Sequence, residues 1–196
     1  MSSIPLPEAP GASEHPALAL ADTRVSLPGP VQVDGLDSPE AATAWLRERG
    51  LVPPETALLA YCQNQLTGLR ETLRQLLEAQ ADGRTPSTQA MESLNRALTA
   101  APAAETLSYS PSQGFERVVE HPLTRQVEFA MARIAEDALE LLTGEEASLI
   151  ARCDASPCDR LYLRTHARRH WCSTRCGDRV RAARAYARKH GRAVEA

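Results

Sequence analysis

The chain has 196 residues and a formal net charge of −3, a length that suits one ordinary domain plus a small appendage. Hydrophobic residues make up 43% but aromatics only 4%, so Ala and Leu supply most of the apolar surface and favour helices over sheet. No run of about 18 apolar residues occurs, and Met1-Ser2-Ser3-Ile4-Pro5 lacks the basic stretch and apolar core of a secretory signal. The expectation is a cytoplasmic protein without a membrane span, in a compartment where paired cysteines read as metal ligands before disulfides.

Residues 1–16, with Pro5, Pro7, Pro10, Pro16 and Gly11, read as a disordered arm. Residues 17–36 read as short extended segments around a turn at Pro28-Gly29-Pro30, with a strand at Val31-Gln32-Val33. Ser38 is a candidate N-cap with Pro39 at the first helical position, and that helix runs until Gly50. Pro53-Pro54 opens a second helix. Leu58, Leu59, Leu66, Leu69, Leu73, Leu76 and Leu77 keep helical spacing along it, and Asp82-Gly83 ends it. Arg70, Glu71 and Arg74 read as its solvated face, and Cys62 as a core thiol.

Ser87 to Thr99 is a shorter helix, and residues 100–120 read as irregular or extended. Pro122 opens a long helix to about Thr143, with Gly144 as its C-cap. Trp45, Tyr61, Tyr109 and Phe115 are candidates for core packing, or for lining a small-molecule pocket in the helical body. His15 and His121 stand beside prolines in expected loops and read as surface residues.

The tail is different. Residues 152–196 hold twelve Lys and Arg against four acids, a net +8, while the first 151 residues carry −11. A basic tail on an acidic body points to a polyanionic partner for the tail alone; a solvated surface, or docking on its own body, would also fit. Within the tail, Cys153, Cys158, Cys172 and Cys176 are spaced Cys-x4-Cys, thirteen residues, Cys-x3-Cys. Zinc takes four such sulfurs in a tetrahedron, and a set of four thiolates is closed, hence structural. The second pair suits the first turn of a helix. Leu161-Tyr162-Leu163 and His170-Trp171 read as the two arms of a short β-hairpin.

A rival ligand set is Cys153, Cys158, His166 and His170, which leaves Cys172 and Cys176 unused; a further alternative is that some of the cysteines are small buried hydrophobes. The module has about 45 residues and few large apolar side chains, so metal binding would supply much of its folding free energy.

Beyond Gly177-Asp178, residues 179–189 read as an Ala-rich helix with Asp178 or a neighbour as its cap. Arg181, Arg184 and Arg188 share one face, and Val180, Ala183 and Ala187 share the adjoining inward face. Arginine suits phosphate and the O6/N7 edge of guanine. Candidate nucleic-acid contacts are Arg164, Arg168 and Arg169 of the hairpin with Arg179, Arg181, Arg184, Arg188 and Lys189 of the helix. Solvated arginines on a surface helix are the plain alternative.

Cys172-Ser173-Thr174-Arg175-Cys176-Gly177-Asp178-Arg179, preceded by Cys153, Cys158 and Leu161-Tyr162-Leu163, resembles the CGNR-type zinc finger. Asp178 stands where that family has Asn. Either residue caps a helix, but a carboxylate repels phosphate. In this family the finger follows a helical region called the ABATE domain. Leu18-Ala19-Leu20-Ala21-Asp22-Thr23, Ser38-Pro39-Glu40 with Trp45-Leu46, and Ile134-Ala135-Glu136-Asp137-Ala138 are similar to it in outline. The resemblance spans about residues 17–190 and is specific from 152 onward.

It implies four zinc-ligating cysteines and double-stranded DNA as partner; bacterial members are described as stress-induced transcription regulators. The expected architecture is mainly α: a helical body over 17–150, serving as sensor or dimerisation domain, then a treble-clef-like finger over 151–191. The alternative function is a zinc-stabilised module that binds an acidic protein. No HExxH, GxSxG or phosphate-binding glycine loop occurs, so catalysis is not expected.

Overall fold

The computed structural model describes residues 7–29, 31–100, 104–120 and 125–191, with side chains at all of these except 104–106, 117–120 and 191. Six α-helices dominate, joined by three two-stranded antiparallel hairpins. The mainly-α expectation is met.

Helix α1 (Pro16–Ala21) is short but central: its Ala17, Leu18, Ala19, Leu20 and Ala21 are all buried. Burying a leucine completely contributes about 1.5–3 kcal/mol, and Leu18 and Leu20 are both fully buried. Strands β1 (Arg24–Leu27) and β2 (Val31–Asp34) form the first hairpin. Helix α2 (Pro39–Glu48) starts as its sequence says: the Ser38 hydroxyl accepts from the Ala41 N–H at 3.1 Å, and Pro39 opens the first turn.

Helix α3 (Ala60–Ala81) starts later than Pro53-Pro54 suggests. Residues 52–59 are non-helical, and the Thr43 hydroxyl accepts from the Leu58 N–H at 3.0 Å, which ties this segment to α2. Helix α4 (Thr88–Thr99) is capped by Ser87, and α5 (Gln126–Thr143) ends at Gly144. Pro122, expected to open α5, and His121 lie outside the described residues, as does Pro30. Cys62 is half-buried against the core, as expected.

Helices α3, α4 and α5 pack on one another, α1 packs on α3 and α5, and α2 packs on α3. Between α4 and α5, β3 (Ala104–Ser110) and β4 (Gly114–Glu120) pair along their length. Leu107, Tyr109 and Phe115 on this hairpin are exposed, with the two rings 5.0 Å apart. Tyr61 is exposed too. Of the four aromatics considered for a pocket or core, only Trp45 is buried, under the Arg49 guanidinium at 4.4 Å.

A 3-10 turn (Glu145–Leu149) leads into β5 (Ile150–Arg152), which pairs with β6 (Leu161–Leu163). The hairpin partner of Leu161-Tyr162-Leu163 is therefore 150–152, not His170-Trp171. The first cysteine pair lies between the two strands, so the loop that closes the hairpin is also the loop that presents Cys153 and Cys158. Helix α6 (Thr174–Gly191) completes the chain.

The expected arm is a second correction. Residues 7–15 are ordered against the rest: Ala9 and Ala12 are buried, and the Leu163 N–H donates to the Pro10 carbonyl at 2.8 Å. Gly11 has φ +89, and a Cβ there would fall 2.5 Å from the Leu163 side chain. Only glycine allows that approach. Residues 1–6 lie outside the described residues. One apolar core joins body and C-terminal module, running from Leu18, Leu66, Leu73 and Ile134 to Leu161, Tyr162 and Leu163.

Candidate metal centre and basic helix

Cys153 and Cys158 come from the β5–β6 loop. There the Cys153 N–H donates to the Arg160 carbonyl and the Cys158 N–H to the Ala155 carbonyl, both at 2.9 Å. The Ser156–Pro157 peptide is cis. Cys172 precedes α6 and Cys176 lies in its first turn. The Ser173 hydroxyl accepts from the Cys176 N–H at 3.3 Å and caps the helix. The helix thus begins before the cap expected at Asp178 or a neighbour; Asp178 lies inside α6.

All four sulfurs lie within 4.8 Å of one another, and all four residues are buried. Cys172 Sγ is 3.8 Å from both Cys158 Sγ and Cys176 Sγ. A zinc tetrahedron with bonds of about 2.3 Å has edges of about 3.8 Å, whereas a disulfide needs about 2.05 Å. The donor set therefore fits structural zinc. The Cys172 N–H donates to Cys153 Sγ at 3.4 Å, which would stabilise a bound thiolate.

Within the cysteine cluster, hydrogen bonds from Cys158 and Cys172 pull the Cys153 pKa down. The same crowding, with burial, pushes Cys158 and Cys172 up. Thiolates crowded together in this way are stabilised by a bound dication.

The rival His set is not assembled. His170 is exposed, with Nδ1 3.2 Å from an Asp154 oxygen, and His166 is exposed.

Residues just after Cys158 anchor the module to the body. The Arg160 Nε donates to Asp22 at 3.1 Å and its Nη1 to the Pro7 carbonyl at 2.7 Å; the Leu161 N–H donates to Asp22 at 2.9 Å. Asp159 accepts from the Ser26 N–H at 2.9 Å and from its hydroxyl at 3.0 Å. Arg74 donates to the Asp159 carbonyl at 3.0 Å. Burial pushes the Asp22 carboxyl up to about 6, against the charges of Arg160 and Arg74 and the Leu161 N–H.

Arg70 and Arg74 are therefore not a solvated face. Arg70 is buried and grips both Asp34 oxygens, at 2.6 and 3.0 Å. The sequence carried a signal here: both arginines fall among the leucines of α3 rather than opposite them. His15 was also missed. Its ring nitrogens face Asp137 at 2.9 Å and Glu146 at 3.0 Å, and Asp137 also accepts from the Ala17 N–H.

The basic candidates divide into two groups. Arg179 donates to the Ala155 carbonyl and, at 3.4 Å, to the Ser156 carbonyl, so it braces the first cysteine loop. Arg169 donates to the Trp171 carbonyl at 3.2 Å, with its guanidinium 5.9 Å from the Tyr162 ring centroid. These two serve the module internally. Arg164, Arg168, Arg181, Arg184, Arg188 and Lys189 are exposed.

Every residue from Arg181 to His190 is exposed. Ala183 and Ala187, expected to pack inward, do not; only Val180, half-buried, meets the core. The second half of α6 stands clear of the body.

Gly177 follows Cys176 for a reason the structure makes plain. A Cβ there would lie 2.8 Å from the Trp171 ring and 3.1 Å from Arg181 Nη1. Cysteine, glycine and arginine of the Cys176-Gly177-Asp178-Arg179 run thus offer a metal ligand, admit an indole and brace the first cysteine loop. Asp178, the fourth, points to solvent and accepts from Arg181 Nη2 at 2.6 Å.

Among the described residues, no helix is long and apolar enough to cross a membrane. A search of curated proteins finds no match. Two family models match: the CGNR zinc finger over residues 150–189, and ABATE, whose printed description is "Putative stress-induced transcription regulator", over residues 14–145. The second match covers about two thirds of the chain, and the chain therefore belongs to the ABATE family, with a CGNR zinc finger at its C-terminal end.

Proposed function

We propose that this protein is a DNA-binding transcriptional regulator in which a structural zinc ion organises α6 and α6 contacts double-stranded DNA. The observation that carries this reading is the exposure of every residue from Arg181 to His190, with Arg184, Arg188 and Lys189 making no hydrogen bond or ion pair among the described residues. A helix with no protein behind it and one arginine stripe is narrow enough to enter a major groove. Arg184, Arg188 and Lys189 meet a polyanion without first breaking ion pairs. Arg164 and Arg168, which follow β6 and are exposed, add two further cations to the module.

Phosphate contact makes affinity fall steeply with salt. Four contacts correspond to a slope of log affinity on log salt of about −3.6. Reversing two charges in Arg184→Glu/Arg188→Glu should weaken binding to mixed-sequence duplex by about 100-fold at low salt and flatten the slope. Fluorescence anisotropy against salt measures both, and unchanged binding would remove α6 from the interface.

The second reading, a module for an acidic protein partner, draws on the exposed Tyr186 and on Ala182, Ala183, Ala185 and Ala187. It predicts weak, sequence-indifferent DNA binding beside tight protein binding. For the body, exposed Leu107, Tyr109, Phe115 and Tyr61 favour a dimerisation role over an interior small-molecule pocket. The reading assigns no catalysis: four thiolates leave zinc no open position.

A further inference from the structure

Arg181 differs from the other cations of α6. Its Nη2 donates to Asp178 Oδ1 at 2.6 Å, and its Cζ lies 5.4 Å from the Trp171 ring centroid. Its Nη1 passes over Gly177, where a Cβ would approach to 3.1 Å. Trp171 is itself fixed against Gly177 and edge-on to His170 at 6.0 Å. The guanidinium therefore has a floor, a wall and a tether, yet its side chain remains 58% exposed. Among the described residues, only one of its five N–H groups is used. By contrast, Arg175, Arg184, Arg188 and Lys189 have no such partner among the described residues.

Loose and fixed arginines do different work on a duplex. A mobile cation meets phosphates wherever they pass and carries no sequence information. A fixed planar fork suits the O6 and N7 acceptors of guanine, which need two parallel N–H groups at a set angle. Asp178 supports this division. An unpaired carboxylate here would repel the phosphate backbone, but pairing with Arg181 cancels its charge and orients the fork.

Resting on the DNA reading above, we propose that Arg181, positioned by Asp178 and Trp171, is the base-reading residue of α6 and selects guanine, whereas Arg184 and Arg188 bind phosphate. The expected target is a duplex whose major groove presents guanine at one set position. Asp178 is a positioning residue, acting on specificity through Arg181.

The test is selection of bound sequences from a randomised duplex library, with the zinc-loaded full chain and the variants Arg181→Lys, Asp178→Ala and Arg184→Ala. Zinc content and circular dichroism confirm the fold; Arg181 and Asp178 are exposed, so these variants should retain it. The wild type should enrich guanine at one position. Arg181→Lys keeps the charge and loses the fork, so guanine preference there should fall about tenfold while mean affinity and salt slope hold. Asp178→Ala should weaken the same preference. Arg184→Ala should lower affinity for all sequences alike and reduce the salt slope by about one.

If Arg181→Lys enriches the same sequences as the wild type, the assignment of Arg181 fails and DNA binding stands. If the wild type binds no duplex, the DNA reading fails and takes this assignment with it.

Discussion

At the scale of single residues, the chain depends on a few charges that its sequence gives little reason to notice. Asp22 is 4% exposed and paired with Arg160 at 8%. Removing Arg160 leaves the buried Asp22 carboxylate only Arg74 at 4.0 Å and the Leu161 N–H, and breaking such a buried pair costs up to about 3–5 kcal/mol. Arg160→Met should therefore lower the free energy of unfolding in urea by about that amount, and adding Asp22→Asn should recover part of it; additive losses would mean that the pair is not coupled.

His15 adds a pH dependence. Burial lowers its pKa, but hydrogen bonds and charges from Asp137 and Glu146 outweigh this and raise it above the ordinary value of 6.5. The folded state therefore holds its proton more tightly than the unfolded one. The stabilisation is complete below pH 6.5 and fades as pH rises through the raised value. Urea melts of wild type and His15→Gln should differ more at pH 6 than at pH 8; a constant difference would refute the assignment.

At the scale of elements, the module depends on how α6 begins. Ser173 caps it, Cys176 ligates from its first turn, and Gly177 admits the Trp171 ring. Gly177→Ala forces the indole away from its seat, and overpacking of this kind costs about 1–3 kcal/mol. Weaker zinc retention in a chelator competition is the expected result, despite alanine's better helix propensity. Tighter retention would show that the indole contact is dispensable.

The regular elements were legible where local signals suffice. Ser38 and Ser87 capped the helices they were expected to open, and the cysteine spacing offered the four residues whose sulfurs the fold gathers. Signals that act across the chain were not legible. The pairing of β5 with β6 depends on the zinc loop folding back, and nothing in Leu161-Tyr162-Leu163 states whether its partner precedes or follows. The order of residues 7–15 depends on a surface supplied by Leu163 and Arg160. In a list of cations, Arg179 and Arg181 look alike; only the fold turns one inward and leaves the other out.

At the scale of the molecule, body and finger form one unit rather than a domain with an appendage. Asp22, Ser26 and Arg74 of the body hold residues 159–161, directly after Cys158. The segment 7–15 lies over Leu163. Loss of metal should therefore disturb more than the finger. Chelation is expected to expose residues 7–15 to protease together with α6, whereas cleavage confined to residues beyond 150 would show that body and finger unfold independently.

In the function proposed above, zinc builds the surface that DNA meets. The direct measurement is fluorescence anisotropy of a labelled mixed-sequence duplex with the full chain, before and after zinc removal, alongside metal analysis. One zinc per chain is expected, with salt-sensitive binding when it is present, loss of binding when it is removed, and recovery when it is restored. Binding that survives removal of the metal, or a purified chain that carries no zinc yet binds equally well, would contradict that function.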